Sequence, residues 1–237
     1  MNISQSFVEI RQFPAPLRSA VVARLREAII SGQLKPGDRL IEARLAKSLK
    51  ISRPSLREAM RQIEAEGLIE IVPNAGPVVK KHTLDEMRQL RDLRVPIESM
   101  CARYFTLHAS EEAVSRLESA VDRIEVALAS SDISEIVRAK QLYYGALTEE
   151  CGSAIIGKYL LQFVAMTSYS WGASLGKPGR PAESVFEMRR LVEAIRARDP
   201  ERAAAASEIL ARHAASVGLE AEAAAQSPIG TSAKRIA

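Results

Sequence analysis

Several residue types on which enzymes and disulfide-rich proteins depend are scarce in this chain. There are two cysteines, three histidines and one tryptophan in 237 residues, and aromatic residues make up 5%. The two cysteines stand singly, without a Cys-x-x-Cys pair, so neither a disulfide framework nor a zinc site is indicated. No nucleophile elbow, phosphate-binding glycine loop or His-Glu-x-x-His pattern is present. The sequence therefore does not predict an enzyme.

Long apolar runs are also lacking. There is no signal peptide and no segment long enough to span a bilayer, so we expect no membrane partner and a cytoplasmic location. Charge is unevenly placed: residues 1–80 hold 13 Lys and Arg against 8 Asp and Glu, and the remainder holds 20 against 21. A basic N-terminal module on a nearly neutral body indicates a polyanionic partner for one end of the chain.

The segment 40–80 has the pattern of a winged helix-turn-helix. A helix over about 42–49 is followed by a turn and a second helix, for which Ser52 is the expected N-cap and Pro54 lies in the first turn. On the second helix the apolar residues recur at i, i+3, i+4 and i+7, namely Leu56, Ala59, Met60 and Ile63. Strands over about 68–71 and 77–80 flank a Pro-Asn-Ala-Gly turn.

Arginines on the second helix suggest that this module binds double-stranded DNA. Arg53, Arg57 and Arg61 follow one another at i+4 steps, and a guanidinium fork can pair with guanine or with phosphate in the major groove. The helix N-terminus should face a phosphate, and the tight turn should approach the minor groove or the backbone. Arginine spacing alone would favour a solvated helix face, but the ordered set of elements favours DNA binding. The predicted DNA-binding residues are Arg44, Ser52, Arg53, Pro54, Ser55, Arg57, Arg61, Asn74 and Gly76.

At these residues the sequence resembles the GntR family of bacterial transcription regulators. The matching residues are Ser31-Gly32, Leu34, Pro36-Gly37, Leu40, Leu45-Ala46, Ser52-Arg53, Arg57-Glu58-Ala59 and Glu64-Ala65-Glu66-Gly67-Leu68-Ile69. They span about the first third of the chain. Pro54-Ser55 replaces the family's frequent Thr-Pro, and Ala43 stands where many members carry an arginine that contacts DNA.

After Thr83 the sequence predicts six helices, over about 84–108, 110–129, 132–150, 153–173, 182–197 and 199–222. Residues 172–181 contain three glycines and two prolines and are predicted to form a loop. We expect a flexible arm over 1–14, a DNA-binding domain over 15–81, an all-helical domain over 83–222 and a disordered tail over 226–237. The predicted fold class is mostly α.

The helical part resembles the FCD domain, the effector-binding domain of FadR-type GntR regulators, and in particular its smaller VanR-type subgroup. Arg94 and Glu98 match in the first of the six helices. Further matches are Leu191, Ala194-Ile195, Asp199 and His213. The resemblance implies an antiparallel six-helix bundle with a central pocket, usually for a small carboxylic acid. It also implies a homodimer, which suits a pseudo-palindromic operator.

The family's divalent-metal site is expected to be lost. Many FCD domains bind a metal with an Asp-x3-His pair and two further histidines, but those positions align here with Lys140, Tyr144 and Met188, and only His213 is retained. An ammonium group cannot ligate a cation, and one imidazole does not hold a divalent ion. We therefore predict no metal and no cofactor.

Lys140 can replace the charge of that metal and receive the carboxylate of an effector. The residues predicted to bind the effector are Arg94, Lys140, Tyr143, Tyr144, Met188 and His213, with Tyr169 and Trp171 as possible walls. Alternatively, Lys140 reaches solvent and His213, Tyr144 and Met188 are core residues. The sequence thus predicts an effector-controlled, dimeric transcription regulator, usually a repressor. Two alternatives are a DNA-binding protein whose helical body only dimerises and a helical enzyme that carries a DNA module.

Overall fold

The computed structural model describes residues 15–130, 132–168 and 179–226, which divide into two compact units. One unit comprises the described residues up to Ile29 together with Leu34–Lys80, and the other comprises Ile30–Gln33 and the described residues from Lys81 onward. The predicted arm over 1–14 and the predicted tail beyond Gln226 lie outside the described residues.

The first unit has three helices and a two-stranded hairpin, in the order expected of a winged helix-turn-helix. Helix α1 spans Ala15–Ile30, α2 Glu42–Leu49 and α3 Arg53–Ala65, and strands β1 and β2 span Ile69–Val72 and Gly76–Val79. The strands pair antiparallel, with Ile69 opposite Val79 and Val72 opposite Gly76. Between α2 and α3 the turn is made by Lys50, whose φ of 53° lies in the left-handed region.

The predicted apolar stripe of α3 is confirmed, because Leu56, Ala59, Met60 and Ile63 are all buried. Helix α3 packs against α2 and β1. In helix α2, Ala46 is buried, but Leu45 and Leu49 are only half-buried. An eight-residue helix has little more than two turns, so only a narrow part of it can face the core.

The second unit contains, among its described residues, six helices. They are α4 Leu84–His108, α5 Glu111–Ser130, α6 Ile133–Glu149, α7 Ala154–Thr167, α8 Arg180–Arg196 and α9 Pro200–Gln226. Helix α9 packs along α4 and α8, α5 packs against α6 and α8, and α7 packs against α4 and α6. No helix in the described ranges is both long and apolar enough to cross a membrane.

Local signals explain most of these helix ends. Thr83 and Glu86 form a reciprocal capping box, with Thr83 N donating to Glu86 at 2.8 Å and Glu86 N donating to Thr83 Oγ1 at 3.2 Å. Two ends differ from the prediction. Helix α8 begins at Arg180, so Pro181 lies in its first turn, where its missing N–H is not needed. Helix α7 ends at Thr167, and residues 169–178 lie outside the described residues.

Candidate DNA interface and candidate effector site

The N-terminus of α3 is capped as the sequence predicts. Ser52 has extended backbone angles, and its Oγ accepts from the backbone N of Ser55 at 3.2 Å. The hydroxyls of Ser52 and Ser55 are 2.7 Å apart, and Ser55 is buried while Ser52 and Pro54 are exposed. Ser55 is therefore engaged with Ser52 on the buried side of the cap, and Ser52 is exposed to solvent.

The three arginines of α3 are exposed along its length. Arg57 Nε donates to Glu42 on α2 at 2.8 Å, and Arg61 Nη1 donates to Glu58 at 2.6 Å. In the described part of the chain, no carboxylate forms an ion pair with Arg53. Exposed pairs of this kind contribute little to stability, so a phosphate can displace the carboxylates at small cost.

The turn of the hairpin is tight and exposed. Asn74 and Gly76 have φ values of 63° and 80°, the left-handed region that asparagine and glycine tolerate best. A Cβ at Gly76 would meet no atom within 4 Å, so backbone conformation rather than space selects glycine here. Arg44 of α2 is exposed as well.

In the helical unit, Arg94 joins three helices inside the core. Its Nε donates to Glu98 at 2.5 Å, its Nη2 to the hydroxyl of Tyr144 at 2.7 Å and its Nη1 to Thr167 Oγ1 at 2.7 Å. Burial alone would lower the pKa of Arg94, but the charge of Glu98 and the bond to Tyr144 outweigh it and raise that pKa above its usual value. Arg94 is therefore a permanent buried cation.

Lys140 lies close to this cluster and is 8% exposed. Burial, together with repulsion from Arg94 and from Arg180, lowers the pKa of Lys140 from 10.5 to about 7, while Glu98 opposes the shift. The alternative that Lys140 reaches solvent is thus wrong for this structure. Its ammonium group belongs to a buried, mainly cationic region.

Arg180 is part of a second buried network. Its Nη2 donates to Glu187 Oε2 at 2.8 Å and its Nη1 to Glu187 Oε1 at 3.2 Å, and Nη1 is also 3.6 Å from the exposed Glu183. His213 Nδ1 lies 2.5 Å from Glu187 Oε1, and its side chain is 59% exposed. The structure therefore joins His213 to Arg180 through Glu187 and gives it no bond to Arg94 or Tyr144.

The other predicted effector residues are buried. Tyr143 and Tyr144 stack edge to face with ring centres 5.1 Å apart, and burial raises the pKa of both hydroxyls. Met188 is 3% exposed. Tyr169 and Trp171 lie outside the described residues.

The residues at the family's metal positions do not fit a divalent ion. Lys140 is a cation or a weakly available amine beside two guanidinium groups, the Tyr144 hydroxyl is held by Arg94, and the Met188 thioether is a soft donor. Only His213 offers a suitable nitrogen, and Glu187 engages it. Within the described ranges no three His, Cys, Asp or Glu side chains are grouped to hold a metal ion.

Comparison with known families agrees with both units. Residues 17–79 match the bacterial regulatory proteins of the gntR family, and residues 89–215 match the FCD domain. The second match alone covers more than half of the chain. The chain belongs to the GntR family, in its FCD-containing branch. It is a transcriptional regulator, not an enzyme.

Individual relatives of this GntR regulator are also described as helix-turn-helix regulators. The uncharacterized regulator YdhC of Bacillus subtilis is 30% identical over 137 residues, 57% of this chain and 61% of YdhC, so that match spans less than two thirds of YdhC. The uncharacterized regulator BphR of Paraburkholderia xenovorans is 28% identical over 226 residues, 90% of each chain.

Solved structures share the fold of this regulator. Escherichia coli McbR superimposes with a TM-score of 0.78 at 18% identity, over 86% of this chain and 97% of McbR. A GntR regulator of Rhodococcus sp. RHA1 superimposes with a TM-score of 0.69 at 21% identity, over 89% and 99% of the two chains.

Sequence reasoning missed part of the effector-site network. Thr167, Arg180 and Glu187 carried no local signal, and Arg180 lay within the loop predicted over 172–181. Glu98 was visible only through its family match and its i+4 spacing from Arg94. Thr167 bonds to Arg94, 73 positions away, and Glu187 bonds to His213, 26 positions away, and both separations are beyond the reach of periodicity.

Proposed function

We propose that this regulator is a homodimeric repressor whose affinity for a pseudo-palindromic operator is controlled by a small carboxylic acid. Helix α3 and the hairpin turn bind the operator, and the acid binds beside Lys140 in the helical unit. The protein acts in the cytoplasm, where a bacterial regulator meets its DNA. It needs no metal ion, because Lys140 supplies the positive charge that a metal would bring.

The observation that carries this proposal is the buried cationic cluster of Arg94, Lys140 and Arg180. Buried charge is costly unless it is compensated. Glu98 pairs with Arg94 and Glu187 with Arg180, so protonation of Lys140 adds a positive charge to a region that already holds two guanidinium groups. A carboxylate ligand would neutralise that charge in a low-dielectric site, where such an interaction is strong.

Arg94 and Lys140 have different roles in the proposed site. Arg94 already uses all three nitrogens on Glu98, Tyr144 and Thr167, so it orients the site and contributes to its field. Lys140 is the group that contacts the acid. Tyr143, Tyr144 and Met188 shape the site, and His213 acts through Glu187.

The alternative is a helical unit that only dimerises. The complete engagement of Arg94 favours it, because a satisfied buried ion pair can serve the fold alone. On this alternative, small acids would not change DNA binding.

The proposal is tested with an operator selected from random DNA and a panel of small mono- and dicarboxylic acids. Fluorescence anisotropy should show release of the operator by one or more acids and not by the matching amides. Lys140→Met, which keeps the length of the side chain, should weaken the response at least tenfold and leave the affinity for DNA without acid nearly unchanged.

Two results would contradict the proposal. The first is equal release by an acid and its amide, which removes the need for a cation. The second is an undiminished response of the Lys140→Met variant. Lys158→Met, at an exposed position of α7, serves as the matched control.

A further inference from the structure

Lys140 is a buried amine on α6 with apolar and aromatic neighbours. Its residue is 8% exposed, and Ala139, Tyr143 and Tyr144 of the same helix are buried as well. Tyr144 lies one helical turn further on, and its hydroxyl accepts from Arg94 of α4. Burial removes solvation mainly from the charged form, so folding favours the uncharged amine. An uncharged amine is a nucleophile, whereas an ammonium group is not.

The charged groups that act on Lys140 come from two other helices. Arg94 of α4 and Arg180 of α8 oppose a positive charge on its nitrogen, and Glu98 of α4 favours one. Both arginines are themselves buried, at 5% and 4% exposure. A field that disfavours a positive charge at one point favours a negative charge at the same point. The cluster therefore suits a lysine that becomes an anion.

The uncharged form of Lys140 is abundant at neutral pH. Burial first, and then the charges of Arg94 and Arg180, lower the pKa of Lys140 from 10.5 to about 7. At that pKa roughly half of the amines are uncharged at pH 7, against about one in a few thousand for a lysine with an ordinary pKa. The reactive form is thus present without any added base.

The surroundings of Lys140 favour a small, uncharged reagent. Lys140 does not line the groove of about 360 Å³ between α5 and α6, although Ala139 and Leu142 do. It does not line the groove of about 420 Å³ between α8 and α9 either. Carbon dioxide is small and uncharged, so it enters an apolar core without the desolvation cost of an ion. Its product with an amine is a carbamate, which carries a negative charge like that of a carboxylate.

We propose that Lys140 is a site of reversible carbamate formation with carbon dioxide. The lone pair of the nitrogen attacks the carbon of CO2 and forms an N–C bond, while one C=O π pair moves to its oxygen. The nitrogen then gives one proton to solvent, so the uncharged amine and CO2 yield a carbamate anion and one H⁺. The charges of Arg94 and Arg180 stabilise that anion.

This modification goes beyond the proposed function, because it needs no carboxylic acid. The carbamate supplies covalently the negative charge that an acid would bring to the same cluster. It also removes the ammonium form of Lys140 that the acid would contact. Carbon dioxide and an acidic effector therefore exclude each other at Lys140.

The test uses the full-length protein and bicarbonate labelled with ¹³C at neutral pH. Carbon NMR should show a carbamate resonance that is absent in Lys140→Met and retained in Lys158→Met, at an exposed position of α7. The α-amino group gives a second carbamate resonance that persists in every variant. Alkylation with a trialkyloxonium salt converts carbamates into stable esters, and peptide mass spectrometry should then locate one on Lys140 of the parent.

The role of the cationic cluster is tested by Arg180→Gln. Its removal takes away a charge that stabilises the carbamate and disfavours the ammonium, so the carbamate on Lys140 should fall several-fold at fixed bicarbonate. Arg189→Gln is the matched control, since Arg189 lies on the same helix and pairs with Asp122 and Glu125 of α5. Circular dichroism should show the helical content of the parent in all variants.

Two results would overturn this inference. One is alkylation that finds carbamate on the α-amino group or on exposed lysines and none on Lys140 of the parent, a result that does not depend on any variant. The other is an undiminished carbamate in Arg180→Gln, which would separate the reaction from the cluster. Release of the operator by acids is measured without added bicarbonate, so either result leaves the proposed function intact.

Discussion

At the scale of single residues, the main finding is a lysine that folding places among cations. Lys140 lies in the core with Arg94 and Arg180 close enough for their charges to reach it, and Glu98 compensates only in part. Such a group is costly to keep charged, and natural cores hold one only where something offsets the cost. A ligand that carries a negative charge would provide that offset.

Lys140 should therefore make stability depend on pH. Its pKa falls from 10.5 to about 7 on folding, so between these values the unfolded chain holds a proton that the folded chain has released. Raising the pH between these values then stabilises the folded state, by up to about 1.4 kcal/mol per pH unit. Below about pH 7 both states hold the proton, so the contribution of Lys140 to stability no longer changes with pH. The free energy of unfolding of the parent should therefore rise from pH 7 to pH 9 relative to that of Lys140→Met, which has no titrating group at this position.

Urea unfolding at one protein concentration measures this difference. Lys47→Met, at an exposed position of α2, is the control. If the free energies of unfolding of the parent and of Lys140→Met change with pH in parallel, Lys140 is solvated in the folded protein and the expectation is wrong.

At the scale of elements, α3 combines a buried stripe with an exposed cationic face. Leu56, Ala59, Met60 and Ile63 fix its rotation, and the Ser52 cap fixes its start. Arg57 donates from its Nε to Glu42 of α2 at 2.8 Å.

Arg53→Ala and Arg57→Ala should each weaken operator binding by about 1–3 kcal/mol. A loss confined to certain operator positions would identify a base contact, and a uniform loss a phosphate contact. Electrophoretic mobility shift with single-position operator variants distinguishes the two. Arg24→Ala is the control, since Arg24 on α1 forms a comparable exposed pair with Glu27. Normal operator binding by both folded variants would show that α3 does not read the DNA.

At the scale of the whole molecule, the three histidines lie at different places in the described structure. His82 is buried near the start of α4, His108 packs on Gly152 near its end, and His213 lies on α9. Cys101 and Cys151 are both buried, and burial with the neighbouring thiol raises the pKa of Cys101 above its usual value. A raised thiol pKa disfavours the thiolate that binds metal.

We expect the purified protein to contain no stoichiometric zinc or nickel, because the positions that would bind it hold Lys140, Tyr144 and Met188. Elemental analysis after dialysis measures this directly. About one metal ion per chain that is lost in His213→Ala would contradict the expectation. His108→Ala is the control for a general loss of histidine.

The sequence by itself determined the elements and the family. Several local features depend on neighbours within a few positions, and such patterns can be recognised from the sequence alone. They are the cap at Ser52, the stripe of α3, the hairpin turn and the helix that starts after Thr83. The residues shared with GntR and FCD domains could be recognised from the sequence in the same way.

The tertiary structure alone decided the chemistry of the helical unit. Arg94 finds Tyr144 and Thr167, which are 50 and 73 residues away, and Lys140 meets the charges of Arg94 and Arg180 from three different helices. The exposed His213 contacts Glu187, although the family resemblance had grouped His213 with Arg94. Burial and charge act through space, so they depend on how helices pack, and no periodicity along the chain encodes which faces meet.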